Sequence, residues 1–253
     1  MDGNTEPLIA VIGRPIAGNP SQFAIECVLR SLELDCRVTS FDVEPKNLNA
    51  ALCGLEVLGF QGVLADEFLA SHVGEWCKNR DPENSNGAPI HCLFRCPDDK
   101  EKLIGHDSHS AWLVATSQAH FQQYETTITD TLWLGARDET FPEEMKSEND
   151  LVLSTRTPTI ESVQQANLIV LAPGPKKDVL LDANEWPQDD GSTLVLDLTS
   201  GHDELSQLQQ LGYTTLSYQA RRNGTIQQSL LRWTGQLGSE TIISEAIEEY
   251  LGV

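Results

Sequence analysis

The chain has 253 residues, enough for two modest domains or one large one with a full core. Its 17 basic and 38 acidic residues give a formal charge of −21, and such a field repels nucleic-acid backbones and anionic lipid. We therefore expect no nucleic-acid or membrane partner, a small-molecule ligand of unknown identity, and a monomer or homodimer; the lack of a signal peptide or a long apolar run favours the cytoplasm.

The first half of the chain alternates predicted strands and helices. In chain order these are the strand LIAVIG, a helix over 21–34, the strand CRVTSFDV, the helix NLNAALCGLEVLG, the strand FQGVLAD, the helix EFLASHVGEWCKN, the strand IHCLFRC and the helix SAWLVATSQAHFQQY. The residues 80–89 are rich in Asp, Pro, Asn, Ser and Gly and are predicted to form a loop.

The second half continues with short apolar strands joined by short polar stretches. The predicted strands are DTLWLGA, DLVLST, NLIVLAP, STLVLDLT and YTTLSY, and the final SETIISEAIEEYLGV is a predicted amphipathic helix. Alternating strands and helices, with the strands buried on both faces, are typical of α/β proteins with parallel sheets. We therefore predict an α/β fold with parallel sheets, divided into a domain over 1–105 that includes the C-terminal helices 225–253, and a domain over 106–224.

The residues that could bind a metal do not complete a site in the sequence. All six cysteines lie within the first 96 residues without a CxxC pair, and although Cys92 and Cys96 have a spacing that could hold a metal, no second pair follows. His106 and His109 in HDSH lie three residues apart, but no third ligand is evident. We therefore predict no metal site, and we interpret HDSH as a helix N-terminus capped by Asp107 or Ser108.

Four stretches together resemble the shikimate dehydrogenase family over nearly the whole chain. VIGRPIAGNPSQFAI is similar to its first strand and substrate loop, FDVEPKNLNAALCGLEVLGFQGV to its next strand and helix, LIGHDSHSAWL to Gly-x-Asn-Thr-Asp-Gly, and LLRWTG to its Trp-Thr-Gly ending. The resemblance implies an N-terminal α/β substrate-binding domain and a Rossmann-like NADP domain. It also implies the NADP-dependent interconversion of shikimate and 3-dehydroshikimate.

The positions that match the family's substrate loop and catalytic strand carry other residues. The two loop serines of the family match Asn19 and Ser21, and Ser21 is also a candidate N-cap of the following helix. The Asn, Thr and catalytic Lys of Asn-Val-Thr-x-Pro-x-Lys match Leu64, Asp66 and Ala70. A methyl group cannot transfer a proton, and a carboxylate at Asp66 disfavours an anionic substrate.

The remaining substrate positions are also changed. The Asn of Gly-Ala-Val-Asn-Thr matches Ile90, and the Gln that precedes Trp-Thr-Gly matches Thr225. The Asn and the catalytic Asp of Asn-Thr-Asp-Gly match Asp107 and His109. Both members of the family's proton-transfer pair are therefore replaced, although His109 is of a residue type that could serve as a new base near neutral pH.

The cofactor loop keeps only part of the family's pattern. Leu-Gly-Ala-Gly-Gly-Ala reads LGARDET here, so Gly135 is retained but Arg137 and Asp138 replace glycines that let the pyrophosphate approach the backbone. Arg156 and Thr157 in STRTP match the family's Asn-Arg-Thr, which holds the 2′-phosphate of NADP; a solvated turn is the alternative. We expect NADP binding to be weak or absent, with any residual preference for NADP over NAD.

The leading interpretation is a shikimate dehydrogenase-like pseudoenzyme with a binding or interaction role. The first alternative is an active NADP-dependent oxidoreductase that acts on shikimate and 3-dehydroshikimate, or on a related polyol acid, through a rearranged site with a substitute such as His109. The second is an unrelated doubly wound binding protein, which requires the resemblance along the whole chain to be chance.

Overall fold

The computed structural model describes residues 6–78, 88–97, 99, 101–154, 158–172, 185–199 and 205–252. The chain divides into two compact units, Met1–Ala111 with Asn223–Val253, and Trp112–Arg222. Within the described residues, no helix is both long enough and apolar enough to cross a membrane. The substrate-binding and NADP-binding roles expected of the two domains stay predictions.

The first unit is built around a five-stranded sheet with the order β2-β1-β3-β4-β5. Its strands are β1 (Leu8–Gly13), β2 (Arg37–Asp42), β3 (Gly62–Ala65), β4 (Cys92–Arg95) and β5 (Leu103–His106). Its helices are α1 (Ser21–Ser31), α2 (Leu48–Val57), α3 (Glu67–Lys78) and α8 (Glu240–Leu251), and α4 (Ser108–Gln123) and α7 (Tyr218–Thr234) each contain a unit boundary.

The interior strand β1 is buried on both faces of this sheet. Ala10 and Ile12 belong to one apolar cluster, and Ile9 and Val11 belong to another. Side chains alternate between the two faces of a strand, so a strand covered on both sides requires an unbroken apolar run. This is why LIAVIG shows no polar alternation.

The expectation of parallel sheets is only partly correct for this unit. β1, β2 and β3 are parallel, but β4 is antiparallel to both β3 and β5. The segment 96–102 joins β4 to β5 and is too short for the crossover that parallel neighbours require, which takes a dozen or more residues. As a result, β4 begins at the same edge of the sheet at which β1, β3 and β5 end.

The second unit contains a five-stranded sheet in which every pairing is parallel, with the order β10-β9-β8-β6-β7. Its strands are β6 (Asp130–Leu134), β7 (Asn149–Leu153), β8 (Leu168–Leu171), β9 (Leu194–Asp197) and β10 (Thr214–Leu216), and its short helices are α5 (Ile160–Gln165) and α6 (Leu205–Gln210). The chain order reverses between β6 and β8. In open α/β sheets, ligands bind beyond the carboxyl ends of the strands at such a point.

Candidate functional site

Two residues predicted for the substrate site lie at one edge of the first sheet, together with a histidine that was not predicted. Asp66 directly follows β3, Asp107 directly follows β5, and His91 directly precedes β4. The backbone N–H of Ala65 donates to the His91 carbonyl at 2.8 Å. Because β4 is antiparallel to its neighbours, His91 at its start lies at the same edge as Asp66 and Asp107 at the ends of β3 and β5.

The loop after β1 contains an internal hydrogen bond at the start of the following helix. Asn19 Oδ1 accepts a hydrogen bond from the Ser21 backbone N–H at 2.9 Å. Helix α1 begins at Ser21, and its N-cap residue is Pro20, without a side-chain cap. The N-cap role considered for Ser21 is therefore wrong, because Ser21 is already the first helical residue and its N–H is bound by Asn19.

Asp66, which matches the family's threonine, binds backbone groups with both carboxylate oxygens. Its Oδ1 accepts from the Leu69 N–H at 2.9 Å and so caps α3, while its Oδ2 accepts from the Arg14 N–H at 2.9 Å. A Cβ atom at Gly13 would lie only 2.5 Å from Oδ2, so the end of β1 leaves room for this carboxylate because it is glycine. Asp66 therefore has a clear structural role, worth about 1 kcal/mol for the cap alone.

The positions that match the catalytic lysine and the substrate asparagine are part of the hydrophobic core. Ala70 is 1% exposed and Ile90 is 4% exposed. The Ile90 N–H donates to the Ala70 carbonyl at 3.0 Å, and Ile90 packs in the same apolar cluster as Leu69 and Val73. Neither of these apolar side chains can transfer a proton.

The HDSH stretch forms the N-terminus of α4, as its sequence indicates. Asp107 Oδ1 accepts from the Ser110 N–H at 2.9 Å and caps the helix. The Ser108 side chain is fully buried and its Oγ accepts from Ser229 Oγ at 3.1 Å. These contacts hold His109 as the second residue of the helix, half-buried at the sheet edge.

His106 and His109 do not form a pair. Arg232 Nε donates to His106 Nε2 at 3.2 Å. Burial and the Arg232 charge lower the pKa of His106 to about 4, against an opposing effect of Asp107. The His109 ring instead lies beside the ring of His91, with centroids 5.4 Å apart and planes inclined by 34°.

Glu67, His91 and His109 form a cluster that the sequence analysis missed. One potential ligand atom of each lies within 4.8 Å of the others, and His91 Nε2 lies 3.5 Å from Glu67 Oε2. His91 is 6% exposed, and within the described residues neither ring nitrogen has a hydrogen-bond partner. A buried polar atom without a partner costs about 1–3 kcal/mol.

A signal for this cluster was present in the motifs. Glu67 falls on the first variable position of Asn-Val-Thr-x-Pro-x-Lys, and His91 falls on the final Thr of Gly-Ala-Val-Asn-Thr. Neither position holds a substrate or catalytic group in the family, so neither residue stands out in the sequence. Their closeness to His109 depends on the antiparallel β4, which the sequence did not predict.

Thr225, which matches the family's glutamine, is buried on α7, and its carbonyl accepts from Ser229 Oγ at 2.8 Å. Near the end of the same helix, Trp233 Nε1 donates to the Leu93 carbonyl at 2.9 Å. A side chain at Gly62 would collide with the Trp233 ring. The Trp-Thr-Gly ending therefore packs α7 against β3 and β4.

In the second unit, the loop after β6 departs from a dinucleotide-binding loop in its backbone. Gly135 has a φ of 125° and donates its N–H to the Leu153 carbonyl at 2.9 Å. The residues 135–148 are all described and contain no α-helix, only a 3-10 turn at Glu143–Met145. A helix N-terminus is the feature that presents N–H groups and a positive dipole end to a pyrophosphate.

The side chains that replace the two glycines are held by the protein itself. Arg137 Nη2 lies 2.5 Å from Asp150 Oδ2. Asp138 Oδ1 accepts from the N–H of Thr140 at 2.8 Å and from its hydroxyl at 2.7 Å. The loop is therefore stabilised by its own contacts in place of those that a phosphate would make.

No protein-family model matches the chain, and no curated protein matches it. Solved structures match over almost the whole length. A 5-ketofructose reductase from a Gluconobacter species matches with a TM-score of 0.74 at 15% identity, over 98% of this chain and 99% of that chain. A shikimate dehydrogenase in complex with NADP+ matches with a TM-score of 0.72 at 16% identity, over 99% and 98%.

The shikimate 5-dehydrogenase of Thermus thermophilus in complex with shikimate matches with a TM-score of 0.69 at 18% identity, over 98% of this chain and 100% of that chain. At such identities the likeness shows the fold. The chain thus has the α/β fold of the shikimate dehydrogenases with a Rossmann-like domain, which confirms the predicted fold class. Arg156 and Thr157, predicted to contact a 2′-phosphate, lie outside the described residues.

Proposed function

We propose that this chain is a shikimate dehydrogenase-like binding protein that does not interconvert shikimate and 3-dehydroshikimate. The observation that carries the proposal is the burial of Ala70, which is 1% exposed at the position that matches the catalytic lysine. General acid–base groups contribute about 10²–10⁴-fold to a reaction rate. The partner of that lysine is replaced as well, because His109 stands at the matching aspartate.

The proposal includes weak or absent NADP binding. It is supported by the loop after β6, where no α-helix follows the strand and side chains stand at two glycine positions. Asp138 would place a negative charge close to the phosphates, and at an effective dielectric of about 20 a like-charge contact near 4 Å costs on the order of 4 kcal/mol. Arg137 offsets little of this, since its guanidinium is paired with Asp150.

An active reductase with a rearranged site is the second candidate, and the cluster at the sheet edge favours it. His109 lies beside His91, and His91 Nε2 is 3.5 Å from a Glu67 oxygen. A histidine with a carboxylate nearby is suited to proton transfer near neutral pH. The 5-ketofructose reductase that matches this chain shows that the fold hosts more than one activity.

A substrate panel separates the two candidates. The purified chain is incubated with NADPH and either 3-dehydroshikimate or 5-ketofructose, and NADPH consumption is followed at neutral pH. We expect no consumption above background with either. Consumption with 3-dehydroshikimate would overturn the proposal, and consumption with 5-ketofructose that His109→Gln abolishes would establish the second candidate. His72→Gln, which changes an exposed histidine on α3, is the matched control.

A further inference from the structure

We infer that Glu67, His91 and His109 form a binding site for a divalent transition-metal ion of the zinc class. Two imidazoles and one carboxylate are a ligand set that zinc uses in sites with three protein ligands and an open fourth position. The three residues offer one ligand atom each, and these atoms all lie within 4.8 Å of one another. This inference goes beyond the proposed function, because it does not depend on whether the chain acts on shikimate.

One of the three separations already matches that of an occupied site, and the other two are no longer than 4.8 Å. Ligand atoms about 2.1 Å from a tetrahedral ion stand roughly 3.4 Å apart, and His91 Nε2 already lies 3.5 Å from Glu67 Oε2. The Glu67 side chain is 60% exposed, so it can adjust its rotamer without disturbing the core. Rotation of the Glu67 side chain is therefore the adjustment that the surroundings of the cluster most readily allow.

The buried environment of His91 supports a bound ligand independently of these distances. The residue is 94% buried, since only 6% of its surface is exposed, and its ring nitrogens have no hydrogen-bond partner among the described residues. Buried polar atoms in native proteins are nearly always paired. An ion bound to one of these nitrogens would give that buried atom a partner.

The backbone positions of the three ligands are fixed by neighbouring elements. Glu67 is the first residue of α3, directly after the capping Asp66, and His109 is the second residue of α4, after the capping Asp107. The positive dipole ends of two helices disfavour a cation. The carboxylates of Asp66 and Asp107 stand at those same helix ends, and together with Glu67 they supply negative charge that offsets the dipoles.

The ligand set predicts which ions bind. Imidazole nitrogen suits zinc and its first-row neighbours, whereas magnesium and calcium require oxygen ligands and several of them. A site with two nitrogens and one carboxylate should therefore discriminate strongly against magnesium. The exposed thiol of Cys53 is the competing soft ligand that the experiment has to separate from the cluster.

The test is a Zn²⁺ titration of the full chain by calorimetry after removal of bound metal with a chelator. We expect one zinc ion per chain with micromolar or tighter affinity, no comparable heat with Mg²⁺, and the visible absorption of tetrahedral Co²⁺. His91→Gln, His109→Gln and Glu67→Ala should each weaken zinc binding by more than about 100-fold, since even outer-shell changes cost about 10–100-fold. His72→Gln should leave the affinity unchanged.

Three results would overturn the inference: zinc affinity unchanged in Glu67→Ala and His91→Gln, equal binding of Mg²⁺, or a thiolate-to-cobalt charge-transfer band. Glu67 is exposed, so its variant keeps the fold even where His91→Gln does not, and circular dichroism checks both. The outcome is distinguishable from that of the proposed function. The zinc titration is carried out without NADPH or substrate, and the substrate panel is measured as NADPH consumption, so either test can fail while the other holds.

Discussion

The carboxyl edges of the two sheets differ from the shikimate dehydrogenase pattern in opposite ways. In the first unit, the backbone arrangement is kept: β3 and β5, which lie on either side of β4, end at the same edge, and α3 and α4 begin there with the caps Asp66 and Asp107. The side chains have changed, and Ala70 is part of the core. In the second unit the backbone itself has changed, since no α-helix follows β6.

The comparison shows that a site can depend either on reactive side chains or on the groups of the backbone. At the first edge, the buried side chain of Ala70 adds to the apolar core, so the packing there does not require a reactive group. At the second edge, the feature that would bind a phosphate is an array of backbone N–H groups, and it is lost with the helix. Restoring the family's side chains should therefore lower the stability of the protein at the first edge and leave the affinity for NADPH almost unchanged at the second.

The largest expected effect is that of restoring the family's lysine. Ala70→Lys places an ammonium group at a position that is 1% exposed, and a buried charge without a partner typically costs about 3–5 kcal/mol. We expect a loss of this size in the free energy of unfolding, measured with urea. Ala50→Lys on the exposed face of α2 is the control and should change stability by less than about 0.5 kcal/mol. A loss equal to that of the control would show that the first edge still has room for the catalytic lysine.

Removing the two helix caps at the first edge should lower the free energy of unfolding by different amounts. Asp66→Ala removes acceptors for two backbone N–H groups and should cost about 2 kcal/mol, while Asp107→Ala removes one cap and should cost about 1 kcal/mol. Asp66→Asn, which keeps an acceptor oxygen, should recover part of the loss. Equal costs for the two alanine variants would contradict the role of Asp66 in holding the end of β1.

Stability should also depend on pH through His106. The pKa of this residue is lowered from 6.5 to about 4 in the folded chain, so between these values the unfolded chain binds a proton that the folded chain does not. The stability that the neutral imidazole provides is present above pH 6.5 and is lost as the pH falls towards 4. His106→Gln should flatten this dependence, which urea unfolding at a series of pH values measures. An unchanged slope in the variant would show that another group causes it.

The smallest effect is expected at the second edge. Replacing both Arg137 and Asp138 by glycine restores the family's residues but not the helix that binds the pyrophosphate. We expect NADPH affinity, measured by calorimetry, to change by less than about tenfold, which corresponds to about 1.4 kcal/mol. A gain to micromolar affinity would show that the two side chains, and not the backbone, exclude the cofactor.

Much of the fold could be predicted from the sequence, because many of its strands and helices contain apolar patterns long enough to recognise. The strand LIAVIG and the helix over 21–34 correspond to β1 and α1, and the C-terminal helix to α8. Three of the missed elements are short: α5 and α6 have six residues each, and β5 has four. A segment of that length is too short to show a helical or strand period. The longer α7 was predicted only in part, within the C-terminal helices 225–253.

The candidate site was predictable where a single stretch of sequence defines it. The cap at Asp107 could be read from HDSH, since an N-cap depends on neighbours three residues away. The cluster of Glu67, His91 and His109 could not be predicted, because it depends on the direction of β4. A parallel β4 would place His91 at the opposite edge of the sheet.

The most direct test of the account is steady-state oxidation of shikimate with NADP at neutral pH, with a shikimate dehydrogenase measured beside it. We expect no detectable turnover, because the position proposed to match the family's catalytic lysine is Ala70, whose side chain is a buried methyl group. Turnover close to that of the reference enzyme, abolished by His109→Gln and unaffected by His72→Gln, would contradict the account and make His109 the catalytic base.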